Sequence, residues 1–179
     1  MRSISKIVLF AVVLAANHAM ADESVAKQTL LNGRISMLVP TGFASLSDAA
    51  KREKYPGANA PANVLSNSDG STNLAFDQKE VQFRPEDIVH LEAALRSQFV
   101  GAKINSGGVR KLNGMDFLVF DVDTPAPDGT IRNIMAFTSL DNRLLAISYN
   151  CTVSRDKTCG ELGHRIIDSI VVNSQPAAH

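Results

Sequence analysis

The segment from Cys151 to Cys159 carries both cysteines of the chain, and His164 follows shortly after. Residues of these types close together could form a zinc site, a redox pair or a disulfide. A structural zinc site takes about four ligands in Cys/His spacing, and no fourth ligand lies near these three. A redox pair is usually written Cys-x-x-Cys, where a helix N-terminus lowers the pKa of one thiol; the residues between Cys151 and Cys159 are too many for that motif. The spacing favours a bridge, provided the protein meets an oxidising compartment. Closing a loop of roughly nine residues contributes about 2.5 kcal/mol by the chain-entropy relation, and would tie the end of a strand to the start of the last helix.

Other chemistry is sparse. Ser154 and Lys157 match the Ser-x-x-Lys pattern of penicillin-recognising enzymes, but the Ser-Asp-Asn and Lys-Thr-Gly segments that work with it are absent. The match reads as a polar turn inside the cysteine loop. Gly-x-Ser-x-Gly, His-Glu-x-x-His and a phosphate loop are also missing. Asp121 and Asp123 fall on one side of an alternating strand, with Asp128 in the following turn, and such carboxylates could hold a cation or work as an acid and base. The alternation favours the plainer reading, a solvated strand face. His90 reads as solvated, His179 is terminal, and His164 reads as a partly exposed helix residue rather than a general base. No catalytic residue, metal or cofactor is therefore expected.

The N-terminus settles the compartment. Arg2 and Lys6 precede an apolar run from Ile7 to Ala16, and Ala19 and Ala21 flank Met20 before Asp22. This is the layout of a secretory signal cleaved after Ala21, and the run falls short of the roughly 20 residues that span a bilayer. A periplasmic protein is expected, with no stable membrane insertion. No cysteine follows the run to accept a lipid. The whole chain has 18 basic and 18 acidic residues. Loss of Arg2 and Lys6 leaves it slightly acidic, which gives no reason to expect nucleic acid as a partner. Residues 22–172 are expected to form a single domain, large enough to remove roughly two thirds of its unfolded surface from water, with 173–179 as a flexible tail.

The elements follow from periodicity. Ile35, Met37 and Val39 alternate with Arg34, Ser36 and Leu38 until Pro40 and Gly42 close a strand. Ser47 caps a short helix to Lys54, and Pro56, Gly57 and Pro61 then forbid regular structure. Val64 to Gln78 reads as a hairpin around Asp69 and Gly70. Pro85, Glu86 and Asp87 open a helix whose Ile88, Leu91, Leu95 and Phe99 make one apolar stripe, with Gly101 at its end. Strands separated by Asn113-Gly114, by Pro127-Asp128-Gly129 and by Asp141-Asn142 follow. The unbroken Phe117, Leu118, Val119 and Phe120 mark a strand covered on both faces. A last helix from about Cys159 to Ile170 presents Leu162, Ile166, Ile167 and Ile170. The sum is an α+β fold, an antiparallel meander sheet with helices packed on it.

The strand ending Pro-x-Gly-Phe, the hairpin Asn63–Phe76, the helix Glu86–Phe99, the long meander and the closing Gly163–Val172 resemble, in that order, the PsbP/Mog1/DcrB-like superfamily. The resemblance covers nearly all the chain after the leader. It implies a small, mostly non-enzymatic scaffold that acts by contact, like the assembly factors, effector chaperones and envelope proteins of that group. The chain departs from the lipoprotein members in lacking a lipid-acceptor cysteine. A protein partner is expected, in the concrete form of a secreted toxin neutralised by an immunity protein. The alternative is an envelope ligand-binding or hydrolytic protein using Asp121, Asp123 and Asp128. For recognition, Arg52, Lys54 and Tyr55 stand out, offering charge, hydrogen bonding and an aromatic anchor on a proline-stiffened loop. Tyr55 could equally tuck back onto the sheet. Material recovered from the periplasm is expected to begin at Asp22 by N-terminal sequencing; retention of residues 1–21 would refute the leader.

Overall fold

The computed structural model describes residues 24–57, 60–127, 129–155 and 158–173. The segment 1–21 read as a leader, Asp128, Lys157 and the residues beyond Asn173 lie outside the described residues. Among the described residues, ten strands form two sheets, and three α-helices accompany them. In chain order they are β1 (Val25–Leu30), β2 (Ile35–Pro40), β3 (Ala44–Ser45), α1 (Asp48–Lys54), β4 (Asn63–Ser66), β5 (Thr72–Gln82), a 3-10 turn (Pro85–Asp87), α2 (Ile88–Gln98), β6 (Lys103–Leu112), β7 (Met115–Ala126), β8 (Gly129–Leu140), β9 (Arg143–Thr152), α3 (Cys159–Asp168) and β10 (Val171–Val172).

The larger sheet is antiparallel throughout, with order β3-β4-β5-β9-β8-β7-β6. β6 to β9 form the expected meander, and the β4–β5 hairpin joins it through β9. Two tight turns behave as their residues dictate: Asn113 and Gly114 have φ of 47° and 88°, and Asp141 and Asn142 have 53° and 56°. Such left-handed pairs match the twist of the strands they join.

Alternation along β7 divides the core. Phe117 and Val119 join Ile134 and Ala136 of β8 and Leu145, Ile147 and Tyr149 of β9 on one face, where Leu162, Ile166 and Ile167 of α3 and Ile35, Met37 and Val39 of β2 cover them. Leu118, Phe120 and Val122 point the other way, under Ile88, Leu91, Leu95 and Phe99 of α2. The apolar stripe read from the sequence is the face that α2 buries. Phe99 meets Phe120 edge-on with ring centres 5.2 Å apart, and the Arg96 guanidinium lies 5.1 Å from the Phe120 centroid. Gly107 makes this possible, because a Cβ there would come within 2.3 Å of the Phe120 ring.

The small sheet, β1-β2-β10, closes the other side. Its central strand β2 was legible from alternation, but β1 was not. Val25–Leu30 is largely exposed, without a two-residue apolar period, and its hairpin turns at Leu31 and Asn32, both at positive φ. Leucine is not a residue that signals such a turn. β10 is two residues long and pairs with Ser36 and Ile35, so it depends on α3 delivering the chain to β2. Among the described residues, no helix is long and apolar enough to cross a membrane.

Helix α3 approaches the sheet closely because it presents Gly160 and Gly163 to it. A Cβ on Gly163 would stand 2.6 Å from Ile134 Cδ1 and 2.7 Å from the Tyr149 ring, both fully buried. Glycine inside a helix costs about 0.5–1 kcal/mol relative to alanine, so Gly163→Ala should stabilise if space were free. Overpacking costs about 1–3 kcal/mol, and we expect it to win. The urea midpoint of Gly163→Ala should fall; a rise would disprove the close approach.

Candidate functional site

Asp121 follows Phe117 and Val119 on the α3 face of β7 and is 2% exposed. Its carboxylate accepts two hydrogen bonds from Arg132 of β8, Nε to Oδ1 at 2.9 Å and Nη2 to Oδ2 at 2.6 Å. Asn105, in the bulge of β6 between Ile104 and Ser106, donates to Oδ1 at 3.2 Å. His164 of α3 lies 2.9 Å from Oδ2 through Nε2. An ionised carboxylate can only accept, so Nε2 carries the hydrogen. Burial by itself would raise the Asp121 pKa. The bonds from Arg132, Asn105 and His164 and the charge of Arg132 outweigh it and hold the carboxyl below its ordinary range.

The solvated acidic face expected for Asp121 and Asp123 is therefore incorrect for Asp121. β7 is covered on both sides, and the charges that make burial tolerable come from strands and a helix remote in sequence. The signal was present in part: a strand read as covered on both faces, from Phe117 onwards, leaves Asp121 little chance of reaching water. Its partners had no such signal. Asp123 is mostly buried, with Lys103 Nζ at 4.0 Å. Asp128 lies outside the described residues. Among the described residues, no group of three or more His, Cys, Asp or Glu side chains could hold a metal ion.

The Asp121–His164 couple has the geometry that orients an imidazole in hydrolases, yet the carboxylate is committed to Arg132 and Asn105 as well. Neither cysteine is free: Cys151 at the end of β9 is bonded to Cys159 at the start of α3, with Cα atoms 6.1 Å apart. Ser154 sits in the turn after β9 rather than at the start of a helix. His90 is exposed on α2, and His179 lies outside the described residues.

The residues singled out for recognition sit on the opposite face of the large sheet. Ser47 Oγ accepts from Ala50 N at 3.2 Å and caps α1. Lys51 Nζ reaches the Ala62 carbonyl at 2.9 Å, and Lys54 Nζ donates to the Gly70 carbonyl. These bonds lash α1 across the sheet and bring Tyr55, its C-cap, against the strands. Tyr55 borders two hollows. The larger, about 480 Å³, includes Lys54, Asp69 and Arg155 with Asn73, Asn133 and Asn150. The smaller, about 200 Å³, is lined by small and apolar side chains including Ala75, Met135, Ala146 and Ile147. Burial raises the Tyr55 pKa, and the neighbouring Asn150 amide partly opposes it, although neither the hydroxyl nor Asn150 Oδ1 has a partner in good hydrogen-bond geometry. Arg52 is exposed on α1 and lines neither hollow. The structure thus brings Lys54 and Tyr55 together and leaves Arg52 apart. The asparagines were missed because their convergence depends on strand register.

Removing the Asp121 charge should leave Arg132 facing a neutral amide. Breaking a buried pair costs about 3–5 kcal/mol; Arg132 is 29% exposed, so Asp121→Asn should lie near the low end of that range. Because the folded pKa is depressed, the carboxylate's contribution is complete above the unfolded value of about 3.9 and disappears as pH falls through the lower folded value. Urea titrations across that acid range should show a shallower loss of stability for Asp121→Asn than for the parent. Parallel acid limbs would contradict the assignment.

No family model and no curated protein matches the chain. Solved structures do match. Cyanobacterial PsbP (CyanoP) from Synechocystis sp. PCC 6803 superposes with a TM-score of 0.56 at 14% identity, over 89% of this chain and 99% of that one. A crystal structure from Bacteroides thetaiotaomicron VPI-5482 gives 0.53 at 12% identity, over 83% of this chain and 48% of that one. The immunity protein TplEi of the T6SS from Pseudomonas aeruginosa, complexed with the "L" peptide, gives 0.42 at 12% identity, over 77% and 74%, a likeness too loose to carry an argument. The common feature is the arrangement of strands and helices rather than shared side chains, and it shows that the fold is PsbP-like.

Proposed function

We propose that the chain is an exported, non-catalytic recognition protein that holds a protein partner against the face carrying α1 and Tyr55. The observation that carries this reading is the contrast between the two polar sites. The buried carboxylate of Asp121 is consumed by four N–H groups within the fold. The larger hollow at Tyr55 is instead bordered by residues whose buried oxygens, Tyr55 Oη, Asn73 Oδ1 and Asn150 Oδ1, lack partners in good hydrogen-bond geometry, next to the charges of Lys54, Asp69 and Arg155. Tyrosine and arginine are the side chains that most often anchor a protein contact, and Arg52 is exposed on α1, the helix that ends at Tyr55.

The leader and the disulfide fit an oxidising compartment. Within that setting the finer reading is an immunity protein that masks a toxin delivered there, since a small folded scaffold with no reactive centre is suited to covering another protein's active site. The hydrolytic alternative loses its main support, because Asp121 has no lone pair free for acid–base work.

The test is affinity for the partner recovered from periplasmic extract and then identified. Tyr55→Ala combined with Arg52→Ala should weaken binding about tenfold or more, the effect of losing an anchor worth over 1 kcal/mol, with cooperative unfolding retained at a somewhat lower Tm because Tyr55 packs on the strands. Unaltered affinity would remove this face from the contact, and turnover of a small molecule abolished by His164→Ala would overturn the non-catalytic reading.

A further inference from the structure

Three adjacent strands place an asparagine on the same rung of the sheet: Asn73 of β5 faces Asn150 of β9, which faces Asn133 of β8. All three border the hollow at Tyr55. Asn73 is 2% exposed, and its Nδ2 donates to the Gly70 carbonyl at 3.3 Å, so Oδ1 is the end left without a partner. Asn150 Oδ1 and Tyr55 Oη are buried and have no partner in good hydrogen-bond geometry, although the Asn150 amide lies close enough to act on the Tyr55 hydroxyl. Asn133 differs, because its Nδ2 already serves Thr124 Oγ1 at 3.2 Å and the Ile131 carbonyl at 3.3 Å. Buried amide oxygens without donors are costly and uncommon. Two on neighbouring strands, beside the Tyr55 phenol, mark a floor able to accept hydrogen bonds.

The rim has the opposite character. Among the described lining residues, Lys54 and Arg155 supply positive charge and Asp69 a carboxylate. Arg155 and Asp69 are 3.5 Å apart with both side chains more than half exposed, a pairing that exchanges readily. A phosphate or sulfate would set its oxygens against the oxygens of the floor. A simple cation would have to pass both positive side chains. A guest with N–H donors at one end and a carboxylate at the other satisfies floor and rim together, and about 480 Å³ is ordinary for a small-molecule site.

We propose that the hollow at Tyr55 binds an amino-acid-like zwitterion, either a free amino acid or the C-terminal end of a short peptide. Its N–H groups meet Asn73 and Asn150, and its carboxylate meets Lys54 and Arg155. The floor oxygens are shielded from water, and rotation of the Tyr55 side chain, held by no well-formed hydrogen bond, admits the guest. This deepens the recognition reading and rests on it, since it takes the Tyr55 loop to be the contact surface.

Calorimetric titration of the protein purified from the periplasm tests it, using the free L-amino acids, tripeptides with a free C-terminus, and the same tripeptides amidated. Binding is expected in one of the first two families, which identifies the source, and blocking the carboxylate should weaken it about tenfold or more. Asn150→Leu should abolish binding while raising the Tm of the ligand-free protein, and Asn150→Ala should give the same loss if the larger residue does not fold. Lys54→Met with Arg155→Met should weaken the free-carboxylate forms until they equal the amidated ones. Silence with both families, binding indifferent to Asn150, or a neutral saccharide such as glucose binding in their place would overturn the proposal. A silent titration beside an intact Tyr55- and Arg52-dependent protein partner would remove only the zwitterion; silence together with an unaffected partner would remove the surface too.

Discussion

A single buried carboxylate sets how helix α3 meets the sheet. Asp121 gathers donors from the bulge of β6, from β8 and from α3, so one charge joins three elements that are remote from one another in sequence. A lone carboxylate in that position would be untenable, and each donor is correspondingly constrained. Arg132 can lie flat beneath α3 because Gly160 carries no side chain; a Cβ there would stand 2.5 Å from its guanidinium. The disulfide anchors the first residue of the same helix to the end of β9, and the helix hands the chain on to β10, which completes the small sheet. The strands β1 and β10, from the two ends of the described chain, thus share β2 only because α3 is seated correctly.

The two faces of the large sheet then serve different ends. The α3 face is closed by apolar packing and by the Asp121 network, and little of it is available to other molecules. On the other face the α2 cluster lies mainly over β6, β7 and β8, reaching β9 at Leu144. Beyond Leu144, which joins the α2 cluster, β5 and β9 present Asn73, Ala75 and Asp77 and Ala146, Ser148 and Asn150 on this face, and α1 with Tyr55 crosses that gap without filling it. A sheet that stays partly bare on one side, with short polar side chains in register, is stable only because the opposite face supplies most of the core. This division is what leaves an otherwise compact scaffold with a surface to offer.

Much of the fold was legible from local pattern. The stripe Ile88, Leu91, Leu95 and Phe99, the Asn113-Gly114 and Asp141-Asn142 turns, the Ser47 cap and the doubly apolar run of β7 each state their geometry within a few residues, because helix period, strand period and turn conformation are local properties. The weak places were β1, whose exposed edge carries no period and whose turn uses Leu31, and β10, which exists only by pairing. The site was less legible. Lys54 and Tyr55 could be singled out by type and by their proline-stiffened loop, whereas Asp121 was misread because alternation tells which side of a strand a residue occupies and not what covers that side.

By itself the sequence determined the α+β class, the order of the elements other than β1, β3 and β10, the apolar sides of α2 and the last helix, and the two cysteines available for a bridge. Tertiary structure decided which polar residues became neighbours. Asn73, Asn150 and Asn133 share a rung only through the register of three strands, and Asp121 meets Arg132, Asn105 and His164 only through a bulge and a docked helix. Hydrophobic periodicity is written in the spacing of single residues, but the pairing of polar groups depends on distances across the chain that no local pattern encodes.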